Sequence, residues 1–183
     1  MSKLPMIDPD TATGAAGAQL ARTQRMLGVV PNMTRVMANS PALLKGYLDL
    51  SAALNGGTLD AGVRERIAVT VAEHNGCEYC LSAHTYLGEH VAKVPVEELE
   101  MARDARSGEP HTQAILALAD AIVRNRGDIG DVTLDAARAA GLTDAEIAET
   151  VGHVAVNTLT NYLNHLSRVD VDWPAVSPRQ RAA

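Results

Sequence analysis

Apolar residues recur along most of this chain at intervals of three and four residues, the spacing that places them on one face of an α-helix. The segment 110–127 shows this most clearly, with Ile115, Leu118, Ala119 and Ile122 on a common face. The segment 60–74 contains IAVTVA, which has the composition of a strand, but the chain has no second β-branched run to pair with it. The pattern therefore predicts an all-α protein.

Capping residues and glycines mark where the helices begin and end. Ser40 followed by Pro41 predicts a helix start, and the TDAE sequence that begins at Thr143 predicts a capping box. No internal repeat or long linker divides the chain, so we expect a single domain over residues 1–183, with a CxxC core at about 60–91 and a flexible tail at about 175–183. The expected helices span about 13–27, 33–38, 41–54, 60–74, 77–91, 95–106, 110–127, 134–140 and 144–168.

Composition narrows the class of protein further. The chain has 183 residues, no Phe and one Trp, and its apolar content of 46% comes mainly from Ala, Leu and Val, which suits closely packed helices. Its net charge of −6 offers no basic surface for nucleic acid. The first ten residues lack the apolar stretch of a secretory signal, and no apolar run reaches the roughly 20 residues that span a bilayer. We therefore expect a cytoplasmic protein that binds neither nucleic acid nor membranes.

The last predicted helix carries an unusual polar stripe. Residues 151–167 contain no Asp, Glu, Lys or Arg, while His153, Asn157, Asn161 and His165 recur every four residues. A solvent-facing stripe normally carries charge, so uncharged polar groups at this spacing indicate burial with hydrogen-bond partners. We favour a subunit or interhelix contact over a catalytic stripe.

Both cysteines of the chain lie in the segment HNGCEYCLSAH, residues 74–84. A disulfide stabilises a fold mainly by closing a long loop, and a Cys77–Cys80 bridge would enclose only two residues. In a reducing cytoplasm such a pair serves redox or metal chemistry more often than structure. Gly76 breaks the preceding helix and leaves Cys77 at the start of a new one, where the helix dipole favours a thiolate.

His84 extends the cysteine pair into a candidate redox centre. Cys77, Cys80 and His84 are spaced i, i+3 and i+7, so they share a helical face, and His84 can exchange a proton with Cys80. Zinc would need a fourth ligand, and the sequence has no second CxxC or HxxxH. Leu81 stands where covalent haem attachment needs a histidine. The alternative to a chemical role is that both cysteines are buried and serve only as small apolar side chains. We favour a dithiol–disulfide centre, with no metal and no cofactor.

Glu65 is the candidate carboxylate of this centre. The prediction places it in the first turn of the preceding helix, at the head of an apolar face that Val69 and Ala72 continue. There it is either a partner of the helix dipole or a half-buried functional acid, and the pattern alone leaves both open.

The run RERIAVTVAEHNGCEYCLSAH, residues 64–84, resembles the AhpD-like alkylhydroperoxidase and carboxymuconolactone decarboxylase superfamily. The redox branch of that superfamily has an acid twelve residues before a C-x-x-C-x-x-x-H motif, which corresponds here to Glu65, Cys77, Cys80 and His84. The flanking runs GVVPNMTRVMANSPALLKGY and NYLNHLSRVDVDWP look like the flanks of peroxidase-related members. One residue departs from the pattern, because Tyr79 stands between the cysteines where some hydroperoxidases have a histidine.

The resemblance implies an AhpD-like helical domain that assembles as a homotrimer or homohexamer. It also implies a thiol-dependent alkyl hydroperoxide or disulfide reductase, which acts on an organic hydroperoxide or disulfide and is reset by an external thiol or dithiol. In this scheme His84, helped by Glu65, deprotonates Cys80, Cys80 attacks the peroxide, and Cys77 closes a disulfide, although the cysteine roles are open to reversal. Two alternatives remain: a carboxymuconolactone decarboxylase-type lyase, and a non-catalytic oligomer whose thiols sense oxidation.

Overall fold

The computed structural model describes residues 2–179, and this part of the chain is helical without any strand. The predicted all-α fold is confirmed, and most helix ends lie within two residues of the predicted positions. The helices are α1 Gly14–Leu27, α2 Asn32–Met37, α3 Pro41–Asn55, α4 Ala61–Asn75, α5 Glu78–His90, α6 Val96–Ala102, α7 Pro110–Asn125, α8 Gly130–Ala139 and α9 Asp144–Ser167.

Two helix ends differ from the prediction for local reasons. Helix α6 ends at Ala102 because the chain turns into the left-handed region at Ala105, where φ is 55°. Helix α8 begins at Gly130 rather than near residue 134, and Asp131 in its first turn interacts favourably with the helix dipole. The predicted capping box of α9 is confirmed, since the Thr143 and Glu146 side chains bond to each other's backbone N–H groups.

Helix α4 lies at the centre of the fold because it is apolar on most of its sides. Residues 66–73 are all buried, and the helix packs against α5, α6, α7 and α9. The IAVTVA run, residues 67–72, is buried on every side of the helix, which explains why it has the composition of a strand. Helix α4 therefore forms the centre of the molecule and leads directly into the cysteine segment.

The C-terminal segment 170–179 lies along the surface of this core. Trp173 and Val176 pack against the core, and the Val176 N–H donates a hydrogen bond to Ser82 Oγ over 2.9 Å. The Arg179 N–H donates to the buried Glu73 carboxylate over 2.7 Å. We expected flexibility from about residue 175, whereas residues 175–179 are held by polar contacts that their low apolar content does not reveal. Residues 180–183 lie outside the described residues.

Helix length and hydropathy bear on membrane association. Within residues 2–179, no helix combines the length and the apolar character needed to cross a bilayer.

Candidate active site

The turn between α4 and α5 places the two cysteines. Gly76 adopts a left-handed conformation with φ of 69° and closes α4, so Cys77 becomes the N-cap residue of α5 and Cys80 lies in the first turn of that helix. Both cysteines are free thiols, and each is only 2% exposed. The predicted helix break at Gly76 is confirmed, and both sulfurs lie at the positive end of α5.

Glu65 and His84 form a pair beside the cysteines. Glu65 Oε2 lies 2.7 Å from His84 Nδ1, and both side chains are half-buried. Because α4 begins at Ala61, Glu65 lies beyond its first turn, so the prediction of a first-turn position was wrong and the helix dipole does not explain this acid. The carboxylate instead fixes the orientation of the imidazole, leaving the other ring nitrogen for chemistry.

Helix α9 supplies polar groups to the Cys80 sulfur. Asn164 Nδ2 donates a hydrogen bond to Cys80 Sγ over 3.1 Å, and Thr160 Oγ1 lies 3.7 Å from the same sulfur. The Asn164 Oδ1 atom is buried without a partner among the described residues. An amide that donates to sulfur stabilises the thiolate more than the neutral thiol. The hydrogen bond from α9 therefore favours the thiolate form of Cys80.

The pKa values of the two cysteines are shifted in opposite directions by the hydrogen bond between them. The hydrogen bond between them raises the pKa of the Cys77 thiol, with burial adding to the shift. The same bond lowers the pKa of Cys80 to about 6; burial opposes this, and the charge of His84 and the Thr160 side chain support it. These shifts favour the thiol form of Cys77 and the thiolate form of Cys80.

His84 is biased toward its protonated form by its neighbours. Burial by itself lowers the pKa of His84, but the negative charges of Glu65 and the Cys80 thiolate, together with the Glu65 hydrogen bond, raise it above its ordinary value. A thiolate and an imidazolium stabilise each other in this way.

A cavity of about 640 Å³ opens onto this site. Cys80, His84 and Glu65 line it, whereas Cys77 is not among its lining residues. Its volume lies in the range of pockets that hold small molecules. Much of its wall is apolar, with contributions from Leu27, Val29, Leu54, Leu87 and Val156.

Tyr47 contributes a neutral hydroxyl to the cavity. Burial, with a further contribution from the negative charges of Cys80 and Glu65, raises the pKa of Tyr47 to about 12. The phenol therefore remains a hydrogen-bond donor throughout the physiological range. Sequence reasoning missed this residue, which ends the run GVVPNMTRVMANSPALLKGY and has no local pattern that marks it as functional.

Tyr79, the residue between the cysteines, connects the site to the C-terminal segment. Its hydroxyl donates to Asp172 Oδ2 over 2.5 Å and accepts from the Met33 N–H over 3.1 Å. Its ring makes an edge contact with Trp173, with centroids 5.4 Å apart. Asp172 and Trp173 also line the cavity. Tyr79 is therefore a structural link between α5, α2 and one wall of the cavity.

We expect Tyr79→Phe to destabilise the protein by about 1–3 kcal/mol, because the buried Met33 N–H loses its partner. For a chain of this size each kcal/mol lowers the melting temperature by about 2–4 °C. Thermal unfolding measures the shift, and Tyr86→Phe, at an exposed position of α5, is the matched control. Equal melting temperatures for the two variants would contradict the link.

The uncharged stripe of α9 is only partly as predicted. His153, Asn157 and Asn161 are buried against neighbouring helices, and Asn161 Oδ1 accepts a hydrogen bond from Asn75 over 2.8 Å. His165 instead is exposed, with its Nε2 2.9 Å from the Asn75 carbonyl oxygen. The interhelix contact is present, but the same stripe lines the cavity through His153 and Asn157, a site role to which we gave less weight.

The structure also bears on the alternative that the cysteines and His84 bind zinc. In the described part of the chain, no group of three or more His, Cys, Asp or Glu side chains is arranged to hold a metal ion. His84 is instead hydrogen-bonded to Glu65, and Cys80 accepts a hydrogen bond from Asn164.

Comparison with known proteins agrees with the geometry. Residues 41–121 match the carboxymuconolactone decarboxylase family. No functionally curated protein matches the sequence significantly. Among solved structures, the fold is similar to a peroxidase-related protein with an alkylhydroperoxidase AhpD core from Ralstonia eutropha, with 22% identity, TM-score 0.82, and 93% of this chain and 92% of that chain covered.

Two further structures share the fold. A peroxidase-related protein from a Silicibacter species has 23% identity and a TM-score of 0.77, with 92% of this chain and 89% of that chain covered. The debrominase Bmp8, in a cysteine-to-alanine variant bound to 2,3,4-tribromopyrrole, has 17% identity and a TM-score of 0.75, with 94% of each chain covered. The fold is thus that of an AhpD-like helical protein.

Residues 41–121 match the carboxymuconolactone decarboxylase family, and the fold of the described residues is AhpD-like. The resemblance inferred from residues 64–84 is therefore confirmed, and the matched family segment contains all four candidate residues: Glu65, Cys77, Cys80 and His84.

Proposed function

We propose that this protein is a thiol-dependent reductase of organic hydroperoxides in which Cys80 is the attacking cysteine. The observation that carries this proposal is that Cys80 lines the cavity while Cys77 lies behind it and stabilises its thiolate. A substrate in the cavity can therefore contact the sulfur of Cys80 but not that of Cys77. The second sulfur is within reach for the next step, because the two already share a hydrogen bond.

The first chemical step breaks the O–O bond of the hydroperoxide. The Cys80 thiolate attacks the outer oxygen and becomes a sulfenic acid, and the departing alkoxide takes a proton from His84 to leave as an alcohol. The sulfur is oxidised by two electrons and the peroxide is reduced by two. Glu65, bonded to His84 Nδ1, stabilises the imidazolium before this transfer and positions the ring.

The second and third steps restore the thiols. Cys77 displaces the sulfenic oxygen of Cys80 as water, forming a disulfide, and an external thiol or dithiol then reduces the disulfide by exchange. The closing of this cycle requires a reducing compartment, which supports a cytoplasmic location. The same exchange chemistry would serve a small disulfide substrate in place of the peroxide.

The direct test is a titration of free thiols before and after one equivalent of cumene hydroperoxide, on metal-free protein. We expect two thiols per chain to disappear and a dithiol to restore them, with repeated cycles when both reagents are in excess. Unchanged thiols would contradict the proposal. Loss of thiols without sustained turnover would instead identify an oxidation sensor.

A second candidate function, a lyase acting on a carboxymuconolactone-type ring acid, is favoured by one observation. Arg64 lines the same cavity as His84 and Glu65, so a cation for a substrate carboxylate and a general acid face one space. This reaction does not use the cysteines. Consumption of the ring acid by a Cys77→Ser, Cys80→Ser double variant would establish the lyase in place of the reductase.

We also propose that the chain assembles as a homotrimer or homohexamer. The outer face of α9 supports this, because it carries apolar side chains and residues 151–167 contain no charge. The exposed apolar residues on this face are Val151, Leu159, Tyr162 and Leu166.

A further inference from the structure

The cavity has a second polar region apart from the cysteines. Arg64 from α4 and His153 from α9 both line it, and they are close enough that the charge of Arg64 affects the titration of His153. Neither residue takes part in the proposed peroxide chemistry. Both have unused hydrogen-bonding capacity, which indicates a missing ligand group.

Arg64 is a half-buried cation at the cavity wall. Its guanidinium donates one hydrogen bond, to the Leu59 carbonyl oxygen, and forms no salt bridge within residues 2–179. By contrast, the buried Arg66 two residues further along α4 is paired with Glu98 and Glu109. The planar guanidinium of Arg64 can donate two parallel N–H hydrogen bonds to a carboxylate that enters the cavity.

His153 provides a second open donor position. It is 95% buried, and its Nε2 atom has no hydrogen-bond partner among the described residues. Burial, with the positive charge of Arg64, lowers the pKa of His153 and so favours the neutral ring, which carries one N–H. A buried ring nitrogen without a partner is costly in the free protein, and a bound oxygen atom would remove that cost.

The carboxylates near His153 do not occupy this position. Glu65 is bonded to His84 Nδ1, and Glu149 accepts hydrogen bonds from the Thr58 and Leu59 N–H groups. Both acids are already held by other partners. The donors of Arg64 and His153 therefore remain available to an incoming anion.

Helix geometry gives the approximate distance from His153 to the sulfur of Cys80. His153 and Thr160 are seven residues apart on α9, which corresponds to about 10 Å of helix rise. Thr160 Oγ1 lies 3.7 Å from Cys80 Sγ. An anionic group at His153 is thus separated from the sulfur by about the length of a small apolar skeleton, and Val156, which lies between His153 and Thr160 on α9, also lines the cavity.

We propose that Arg64 and His153 form a carboxylate-binding subsite, and that the substrate is an amphipathic hydroperoxide with a carboxylate at one end and the O–O bond at the other. The identity of the reacting group rests on the proposed function, whereas the subsite itself does not. Its ligand class is an aryl or alkyl carboxylate with an apolar body. The carboxylate is held unchanged while Cys80 reduces the peroxide as described above.

Binding of an inert probe tests the subsite independently of any peroxide chemistry. We expect 4-isopropylbenzoate to bind the wild-type protein at least tenfold more tightly than 4-isopropylbenzyl alcohol in calorimetry. Arg64→Gln should weaken the benzoate by roughly ten- to hundredfold, since a charge-assisted pair is lost. Arg124→Gln, which removes an equal charge from the exposed face of α7, is the matched control and should change neither affinity.

The His153→Leu variant distinguishes a ligand-binding role of His153 from a purely structural one. Because Nε2 has no partner, an apolar residue of similar size should leave the melting temperature unchanged or raise it while weakening the benzoate. A structural histidine would lower the melting temperature and leave the ratio of benzoate to alcohol affinity unchanged. That result, or equal affinity of the wild-type protein for the two probes, overturns the subsite.

Kinetics then connect the subsite to the substrate. With cumene hydroperoxide and its para-carboxylated analogue, the wild-type kcat/KM should favour the carboxylated peroxide, and Arg64→Gln should abolish the preference mainly through KM. If the benzoate binds but neither peroxide is reduced, the proposed function fails and the subsite stands. If both peroxides are reduced equally well by the wild-type protein, the assignment of the substrate class fails.

Discussion

Replacing Cys80 by Ser should abolish the reduction of cumene hydroperoxide, whereas replacing Cys77 by Ser should leave one turnover per chain. Cys80 is the sulfur that lines the cavity and the one whose pKa is lowered, to about 6. Without it no thiolate meets the peroxide. Without Cys77 the peroxide is still cleaved, but the sulfenic acid persists because no disulfide can close.

Single-turnover mixing with one equivalent of peroxide, followed by trapping of sulfenic acid with a dimedone-type reagent, measures both outcomes. Cys77→Ala provides a sharper comparison than Ser alone, because Ser keeps a hydrogen-bond donor for the Cys80 thiolate and Ala does not. We expect the single turnover at pH 7 to be slower in the Ala variant than in the Ser variant. Trapped sulfenic acid at Cys77 in a Cys80→Ser protein would reverse the assigned roles.

The second large effect is expected for His84→Gln, which should lower the rate of peroxide cleavage by about 10²–10⁴-fold. The variant loses the proton donor for the departing alkoxide and the positive charge that helps to lower the pKa of Cys80. In the wild-type protein the thiolate is present above about pH 6 and is lost as the pH falls through that value. In the variant this transition should move to higher pH.

The rate of alkylation by iodoacetamide across pH 4–10 reports that transition, because only the thiolate reacts. The measurement is made on Cys77→Ser protein with and without the His84 substitution, so that one sulfur is observed. His111→Gln, an exposed histidine paired with Glu146, is the control and should leave the profile unchanged. An identical transition with and without His84 would show that the imidazole does not act on the sulfur.

Much of the fold was predictable because its signals are local. Helix starts at Ser40 and Thr143 and the stop at Gly76 depend on backbone groups within a few residues, and the structure has them where the sequence indicates. The four residues Glu65, Cys77, Cys80 and His84 come from two consecutive helices, so their spacing along the chain already indicates their proximity.

The rest of the site comes from parts of the chain far from these helices. Asn164, which donates to Cys80, is separated from it by 84 positions. A repeat of four residues drifts by about 40° per step on a helix of 3.6 residues per turn, so a stripe that begins at His153 leaves the buried face by His165. Asn164 takes the buried position instead. Arg64 and His153 likewise acquire their significance only from the cavity between α4 and α9.

The bond between Tyr79 and Asp172 has a consequence for how the protein is made. These residues are 93 positions apart, so a ribosome adding about 5–20 residues per second needs roughly 5–20 s to produce Asp172 after Tyr79. During that interval α5 can form, but the cavity wall built from Asp172, Trp173 and Pro174 does not yet exist. The nascent chain therefore carries both thiols before the cavity beside them is complete.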